Sequence, residues 1–374
     1  MDKTKWVKTT LGEVCCLYQP RTIAVSKLKP DGKYFVYGAN GIIGRYDKYN
    51  HEGSEILVTC RGATCGTVNI SKPYSWINGN AMVVHPKSYE NLDSFFLGIL
   101  VSSIDYTKVI TGAAQPQITR ANFQKVQVCI PPLSEQQGIA TELGAVQEMI
   151  DGYKAQIKDL DELAKSIFLD MFGDPISNPK GWKKKKIQDV CIVNPSKHEI
   201  DDLIADDEEV SFLPMEDLGL YALHFTPRQS KTLLKVKTAY TYFKEGDIVM
   251  AKVTPCFENG KIGIATKLKN GIGFGSSELL VYRSKGEIIQ VYLYFILSSD
   301  SFHALGHKNM NGVAGLKRLT KRVSNELQIP IPPLSLQQRF AAKIEAIEKQ
   351  KELLRQQLSD AETLMAERMQ YYFS

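Results

Sequence analysis

The sequence predicts a mixed α/β (α+β) protein built as two β-rich globular units, each followed by one long helix. Three observations predict this. The octapeptide Ile130-Pro131-Pro132-Leu133-Ser134-Glu135-Gln136-Gln137 returns as Ile331-Pro332-Pro333-Leu334-Ser335-Leu336-Gln337-Gln338, 201 residues later. Each copy opens a long stretch of helical periodicity. The segments ahead of the copies are short runs rich in Gly, Tyr and β-branched residues, the pattern of strands and turns.

At 374 residues the chain accommodates two domains of ordinary size plus connecting elements. Its apolar fraction of 43% and charged fraction of 23% are those of a soluble globular protein. No apolar run reaches the roughly 18–20 residues of a membrane span, and Met1-Asp2-Lys3-Thr4-Lys5-Trp6 lacks the apolar core of a secretory signal. The cytoplasm is the expected location. The seven cysteines are scattered and form no C-x-x-C pair, so they are read as reduced, mostly buried thiols rather than metal ligands. His303 and His307 have i, i+4 spacing without the glutamate of a zincin motif, and are read as surface or packing residues.

In the first helical stretch Ile139, Leu143, Val146, Ile150, Tyr153, Ile157, Leu160, Ala164, Ile167 and Met171 alternate by four and three, a seam of coiled-coil type. In the second, Phe340, Ile344, Ile347, Leu354, Leu358, Ala361, Met365 and Tyr372 share that frame, interrupted by Lys351 and Arg368. Ser134 with Gln137, and Ser335 with Gln338, match the S-x-x-Q capping box, so the serines are read as helix caps rather than nucleophiles. The first helix is expected to end at Gly173, with Pro175 beyond.

The globular segments repeat more loosely. Trp6-Val7 with Leu11-Gly12-Glu13-Val14-Cys15 matches Trp182-Lys183 with Ile187-Gln188-Asp189-Val190-Cys191, and Ser54–Val58 matches Gly246–Met250. Gly112-Ala113-Ala114 with Ile118-Thr119 matches Gly312-Val313-Ala314 with Leu319-Thr320. The offset grows from 176 to 201, which places about 25 extra residues in the second unit, around the polar stretch 196–230. Helices are expected at Leu92–Ser102 and Val291–Ser299. The expected domains are 1–130, a helix over 131–173, 174–330, and a helix over 331–374.

Charge divides along the same lines. Residues 1–130 carry 15 basic and 9 acidic side chains and residues 174–331 carry 22 and 18, whereas 131–173 carries 3 and 8. Basic globular units suit a polyanion such as DNA; an acidic helix suits separation and protein contacts.

No Walker A loop, nucleophile elbow or Asn-Pro-Pro-aromatic signature is present, and Gly271-Ile272-Gly273-Phe274-Gly275 is read as a loop or bulge. No catalytic or metal-ligating constellation is assigned. The basic and amide-bearing loops point to DNA instead. Arg61, Thr64, Asn78, Asn80, Gln115, Gln117 and Arg120 in the first unit, and Lys252, Thr254, Ser276, Lys317 and Arg318 in the second, are the candidate contacts. Arginine reads guanine and asparagine or glutamine reads adenine by paired hydrogen bonds, while lysine and backbone amides hold phosphates. The run Lys183–Lys186 is read as phosphate contact or solvated surface, and Asp206-Asp207-Glu208-Glu209 as lying away from DNA.

The order unit, Pro-Pro-Leu-Ser-x-Gln-Gln helix, unit, helix resembles the specificity (S) subunit of type I restriction–modification enzymes across essentially the whole chain. The Gly112 and Gly312 loops and the helix ends Ile167–Phe172 and Phe373 strengthen the resemblance. Leu336 departs from it, where the first copy has Glu135. The resemblance implies two target recognition domains that each read half of a two-part double-stranded DNA site. It implies that the helices pair as an antiparallel coiled coil, set the spacer, and dock two methyltransferase (M) subunits, with restriction and motor (R) subunits joining. Adenine N6 methylation with S-adenosylmethionine, and any use of Mg or ATP, would lie in those partners; the chain itself is expected to hold no cofactor. Three other readings stand beside it: an enzyme acting on DNA in its own right, which a purified chain that methylates or cuts DNA without partners would establish; the S subunit of a type II-like methyltransferase–nuclease; and a coiled-coil protein-binding scaffold. Basic units that neutralise phosphates predict that log Kd for duplex DNA rises steeply with log salt; salt-independent or absent binding in a titration would favour the scaffold.

Overall fold

In the computed structural model, which describes residues 3–112, 115–313 and 316–374, the chain forms two compact units, 1–154 with 356–374 and 155–355. Each long helix is divided between them.

In the first unit, Ile56–Thr59 is buried along its whole length because it is covered on both faces. It sits in a four-stranded antiparallel sheet, ordered Cys15–Tyr18, Ala81–Pro86, Ile56–Thr59, Val68–Ile70. Alternation sends Ile56, Val58, Met82 and Val84 toward the helix Ser94–Ser102, where they meet Phe96, Leu97 and Leu100. Leu57, Ala81 and Val83 face a second sheet through Tyr37 and Ile77. That sheet has Tyr34–Gly38 between Gly41–Tyr46, antiparallel, and Trp76–Ile77, parallel.

The second unit repeats the plan. The antiparallel order Cys191–Val193, Leu279–Ser284, Ile248–Ala251, Ile262–Ala265 is extended by the parallel strand His224–Phe225. Its second sheet pairs Glu209–Leu213 antiparallel with Gln229–Thr232 and parallel with Ile272–Gly275, then adds Thr241–Lys244. The added elements fall partly within 196–230, as the strand His224–Phe225, and partly beyond it, as the strand Thr241–Lys244 and the helix Asp300–Asn309. Gly271–Gly275 is corrected from loop to mostly strand. Gly273 is required there because a Cβ would lie 2.2 Å from the Phe243 ring. The helices expected at Leu92–Ser102 and Val291–Ser299 are found at Ser94–Ser102 and Gln290–Leu297.

The long helices are Leu133–Phe172 and Leu334–Phe373, each 40 residues, or roughly 60 Å at 1.5 Å per residue. Within each unit their segments run antiparallel. In the first, Lys154 pairs with Glu362 and Arg368 with Glu142, around Val146, Ile150 and Ala361. In the second, Lys351 Nζ lies 2.6 Å from both Asp161 and Glu348, and Phe172 meets Phe340 edge-on at 5.3 Å. The two interruptions of the apolar seam are therefore cross-helix ion pairs, and Lys351 is only 5% exposed. Toward Phe172 the most buried stripe is Ala164, Phe168 and Phe172 rather than Ile167 and Met171. It faces the aromatic core of Tyr292, Phe295 and Phe340, and burial of each such ring contributes roughly 1.5–3 kcal/mol.

The helix caps are corrected. The carbonyl of Pro132 accepts from the Gln136 N–H and that of Pro333 from the Gln337 N–H, so the prolines are the N-caps, Ser134 and Ser335 lie inside the first turn, and Gln137 and Gln338 follow it within the helix. Gln136 and Gln337, both fully buried, organise the turn in place of a hydroxyl cap. Gln136 Nε2 donates to the Pro131 and Asn91 carbonyls and its Oε1 accepts from the Asp93 N–H, at 2.8–3.0 Å. Gln337 does the same with Pro332, Glu287 and the Ile289 N–H. Each glutamine thereby ties the long helix to the start of the short core helix of its unit.

Only Cys15, Cys60 and Cys191 are buried; Cys16 and Cys129 point outward on their strands, because alternate residues face opposite ways. Burial pushes the Cys15 and Cys191 thiols up to about 12. Among the described residues no helix is long and apolar enough to cross a membrane. Substituting Gln337→Leu strands the Ile289 N–H and is expected to cost roughly 1–3 kcal/mol; calorimetric unfolding of the purified chain measures it.

Candidate nucleic-acid interface

Three segments far apart in the sequence meet in the first unit. The strand Ile56–Thr59 runs into the loop 60–66, the strand Trp76–Ile77 into the turn 78–80, and the third segment is made of 111–112 and 115–118. The Ile118 N–H donates to the Cys60 carbonyl at 3.0 Å and the Gly62 N–H to that of Pro116 at 3.1 Å. The Cys60 N–H reaches the Asn80 carbonyl at 3.3 Å, and Arg61 and Gln117 face one another in a β-bridge. Arg61, Asn80, Gln115 and Gln117 are all exposed.

The second unit builds the same arrangement. The Leu319 N–H donates to the Lys252 carbonyl at 2.8 Å, and the Lys252 N–H to that of Glu278 at 2.9 Å. Thr254 and Lys317 are joined twice, through the Thr254 N–H to the Lys317 carbonyl at 3.1 Å and the Lys317 N–H to Thr254 Oγ1 at 3.0 Å. Val253 and Arg318 form the β-bridge. Lys252 therefore stands where Cys60 stands, and Val253 where Arg61 stands.

The side chains differ although the backbone repeats. The Arg318 guanidinium lies side-on to Glu278, with Nε to Oε2 at 2.8 Å and Nη2 to Oε1 at 3.1 Å. The hydrogen bonds from Arg318 hold the Glu278 carboxyl below its usual range. Lys252 Nζ donates to the Ser277 carbonyl at 2.6 Å, and Ser276 Oγ accepts from the Glu278 N–H at 3.2 Å, shaping the turn. In the first unit, among the described residues, no ion pair engages Arg61 and no hydrogen bond engages the side chains of Asn80 or Gln117. Ala113, Ala114 and Ala314, part of the matched glycine loops, lie outside the described residues.

Asn78 is a correction. It is 3% exposed, and its Oδ1 accepts from the Ile23 N–H at 2.9 Å, so it braces the neighbouring loop instead of facing outward. Thr64 closes a tight turn with the Thr67 N–H, and Arg120 opens the short helix capped by Thr119; both are exposed but neither is tied into the three-segment cluster. The basic run is also occupied. Lys184–Lys186 is a strand paired with Gln328–Pro330, and Lys184, Lys185 and Lys186 bind the Ile176 carbonyl, Glu287 and Glu326. In the acidic run, Asp206 pairs with Lys237 and Glu209 with Lys269.

Linear reading missed the loop Gln19–Ile23. Gln19 Nε2 donates to the Gly79 carbonyl at 2.9 Å and Thr22 Oγ1 accepts from the Gly79 N–H at 3.0 Å, which leaves Arg21 exposed beside the cluster. Gly79 must lack a side chain, since a Cβ would lie 2.5 Å from the Pro20 carbonyl oxygen.

A family model described as the type I restriction modification DNA specificity domain matches residues 3–161 and again 179–363. The EcoAI specificity subunit of Escherichia coli is 38% identical over 167 residues, 44% of this chain and 28% of that protein's length. The match thus spans little more than a quarter of that relative. A putative type I restriction enzyme specificity subunit of Haemophilus influenzae is 23% identical over 93% of this chain and 88% of its own length. In fold, the S subunit of a type I restriction–modification system from M. genitalium superposes with a TM-score of 0.60 at 14% identity, covering 99% of this chain and 96% of that one.

Because Asn78 braces the Ile23 loop from inside, Asn78→Ala is expected to lower stability by roughly 1–3 kcal/mol. Thermal unfolding checks this, and an unchanged melting temperature would return Asn78 to the set of surface contacts.

Proposed function

The chain belongs to the type I restriction–modification DNA specificity family, and we propose that it is the non-catalytic DNA-reading subunit of such an enzyme. Residues 1–130 and 174–330 act as target recognition domains, each reading one half of a two-part double-stranded site. The observation that carries this reading is the three-segment cluster. One backbone arrangement occurs in both units and presents amides and an unpaired arginine in one, but lysines, an arginine and a glutamate in the other. A repeated frame with altered side chains is what reading two different half-sites requires.

The helices over 131–173 and 331–374 set the spacer between half-sites and dock two methyltransferase subunits, to which motor and nuclease subunits are added. Adenine N6 methylation, with its S-adenosylmethionine, belongs to those cytoplasmic partners, as do Mg and ATP. Exposed apolar side chains along both helices, among them Met149, Leu163, Leu353 and Leu364, support a helix-on-helix dock.

Co-producing the chain with its methyltransferase and mapping methylated adenines genome-wide is the test. A motif of two defined halves around an unspecified spacer is expected; an undivided motif would count against the reading. Removing three residues from one long helix shortens it by about 4.5 Å, more than one base-pair step. The methylated motif is then expected to change its spacer, and an unaltered spacer would refute the ruler role.

A further inference from the structure

The backbone bonds make two pairs of positions equivalent between the units. Gln117 immediately precedes the residue that donates to Cys60, and Arg318 immediately precedes the one that donates to Lys252. Asn80 accepts from the Cys60 N–H as Glu278 accepts from the Lys252 N–H. Positions 80 and 117 of the first unit are therefore equivalent to 278 and 318 of the second. The first unit carries two carboxamides there, and the second an arginine with a glutamate.

These are two of the chemical solutions for reading a purine in the major groove. A carboxamide matches the N6 donor and N7 acceptor of adenine, and a guanidinium edge matches the O6 and N7 acceptors of guanine. The bonding around Arg318 leaves the required edge available. Glu278 takes the Nε–H and one Nη2–H, so among the described residues both Nη1 hydrogens and the second Nη2 hydrogen remain. They lie on the end of the guanidinium, the edge that makes a paired contact with guanine. A half-exposed ion pair of this kind contributes little to stability. What it does is restrict a long, flexible side chain to one orientation before DNA arrives, which reduces the ordering cost of binding.

We infer that these equivalent positions form the base-reading pair of each unit: Arg318, held side-on by Glu278, reads a guanine in the second half-site, and the carboxamides of Asn80 and Gln117 serve an adenine in the first. Glu278 is a positioning residue and Arg318 the contact. The inference rests on the proposed function and adds the identity of one base in each half.

The test grafts one unit's pair into the other. The chain carrying Arg318→Gln with Glu278→Asn is co-produced with the methyltransferase, and the methylated motif is mapped beside that of the unaltered chain. The expected result is loss of one guanine requirement in the second half-site, with the first half-site and spacer unchanged. In a companion binding measurement, 7-deazaguanine at that guanine, which lacks the N7 acceptor, weakens the unaltered complex by roughly tenfold or more. It adds little to the weakening already caused by Arg318→Lys. A second half-site without guanine, or a grafted variant with an unchanged motif, overturns the inference and leaves the two-part reading standing. An unaltered complex that methylates no two-part site removes both. If the graft lowers the melting temperature while Arg318→Lys binds 7-deazaguanine and guanine duplexes as the unaltered complex does, the pair is a structural strut and the inference fails.

Discussion

The structure depends on each globular unit closing its core with lengths of long helix. The sheet and short helix of the first unit leave an apolar face that Ile139 and Leu143 of one helix, and Tyr372 of the other, complete. In the second unit the same part is played by Ala164, Phe168 and Phe172 with Phe340, Ile344 and Ile347. The helices are therefore components of the cores rather than linkers. That dependence explains the buried glutamines. A helix that supplies core side chains must begin at a defined point and angle, and Gln136 and Gln337 set both by bonding the opening turn to the backbone at the start of the short core helix.

Apolar seams specify pairing only loosely, because one leucine is much like another. The polar interruptions supply the missing information. Lys351 is buried beside Asp161 and Glu348, and Arg368 meets Glu142 together with the Tyr372 hydroxyl. Burying a lysine is costly, and a slip in helix register would take Asp161 from it and leave only Glu348 of its own helix. Such a residue lowers the stability of the seam while penalising alternative registers, a familiar use of polar side chains at core positions of paired helices.

The candidate recognition surface follows a different logic. Its frame is made of backbone hydrogen bonds among three segments, and those bonds are indifferent to side-chain identity. Side chains on that frame can change without disturbing it, which is how one arrangement carries Arg61 and Gln117 in one unit but Val253 and Arg318 in the other. Asn78 is the exception that marks the boundary of the surface, because its carboxamide is consumed in holding the Ile23 loop.

Much of this was legible in the chain itself. The duplicated octapeptide, the seams and the two β-rich units follow from periodicity and internal repetition, which are local properties. The helix start was misplaced by two residues because Ser134 matches a cap pattern, and only the packed structure reveals that Gln136 organises the turn instead. Tertiary contact also decided the occupied state of Lys184–Lys186, the burial of Asn78, the strand character of Gly273, and the pairing of Arg318 with Glu278. The physical reason is common to all of them. Periodicity records which face of an element avoids water, and it is written along the chain. A hydrogen bond or ion pair between residues 40 positions apart, such as Arg318 with Glu278, leaves no trace in either segment alone and exists only once the fold has brought both partners to the same place.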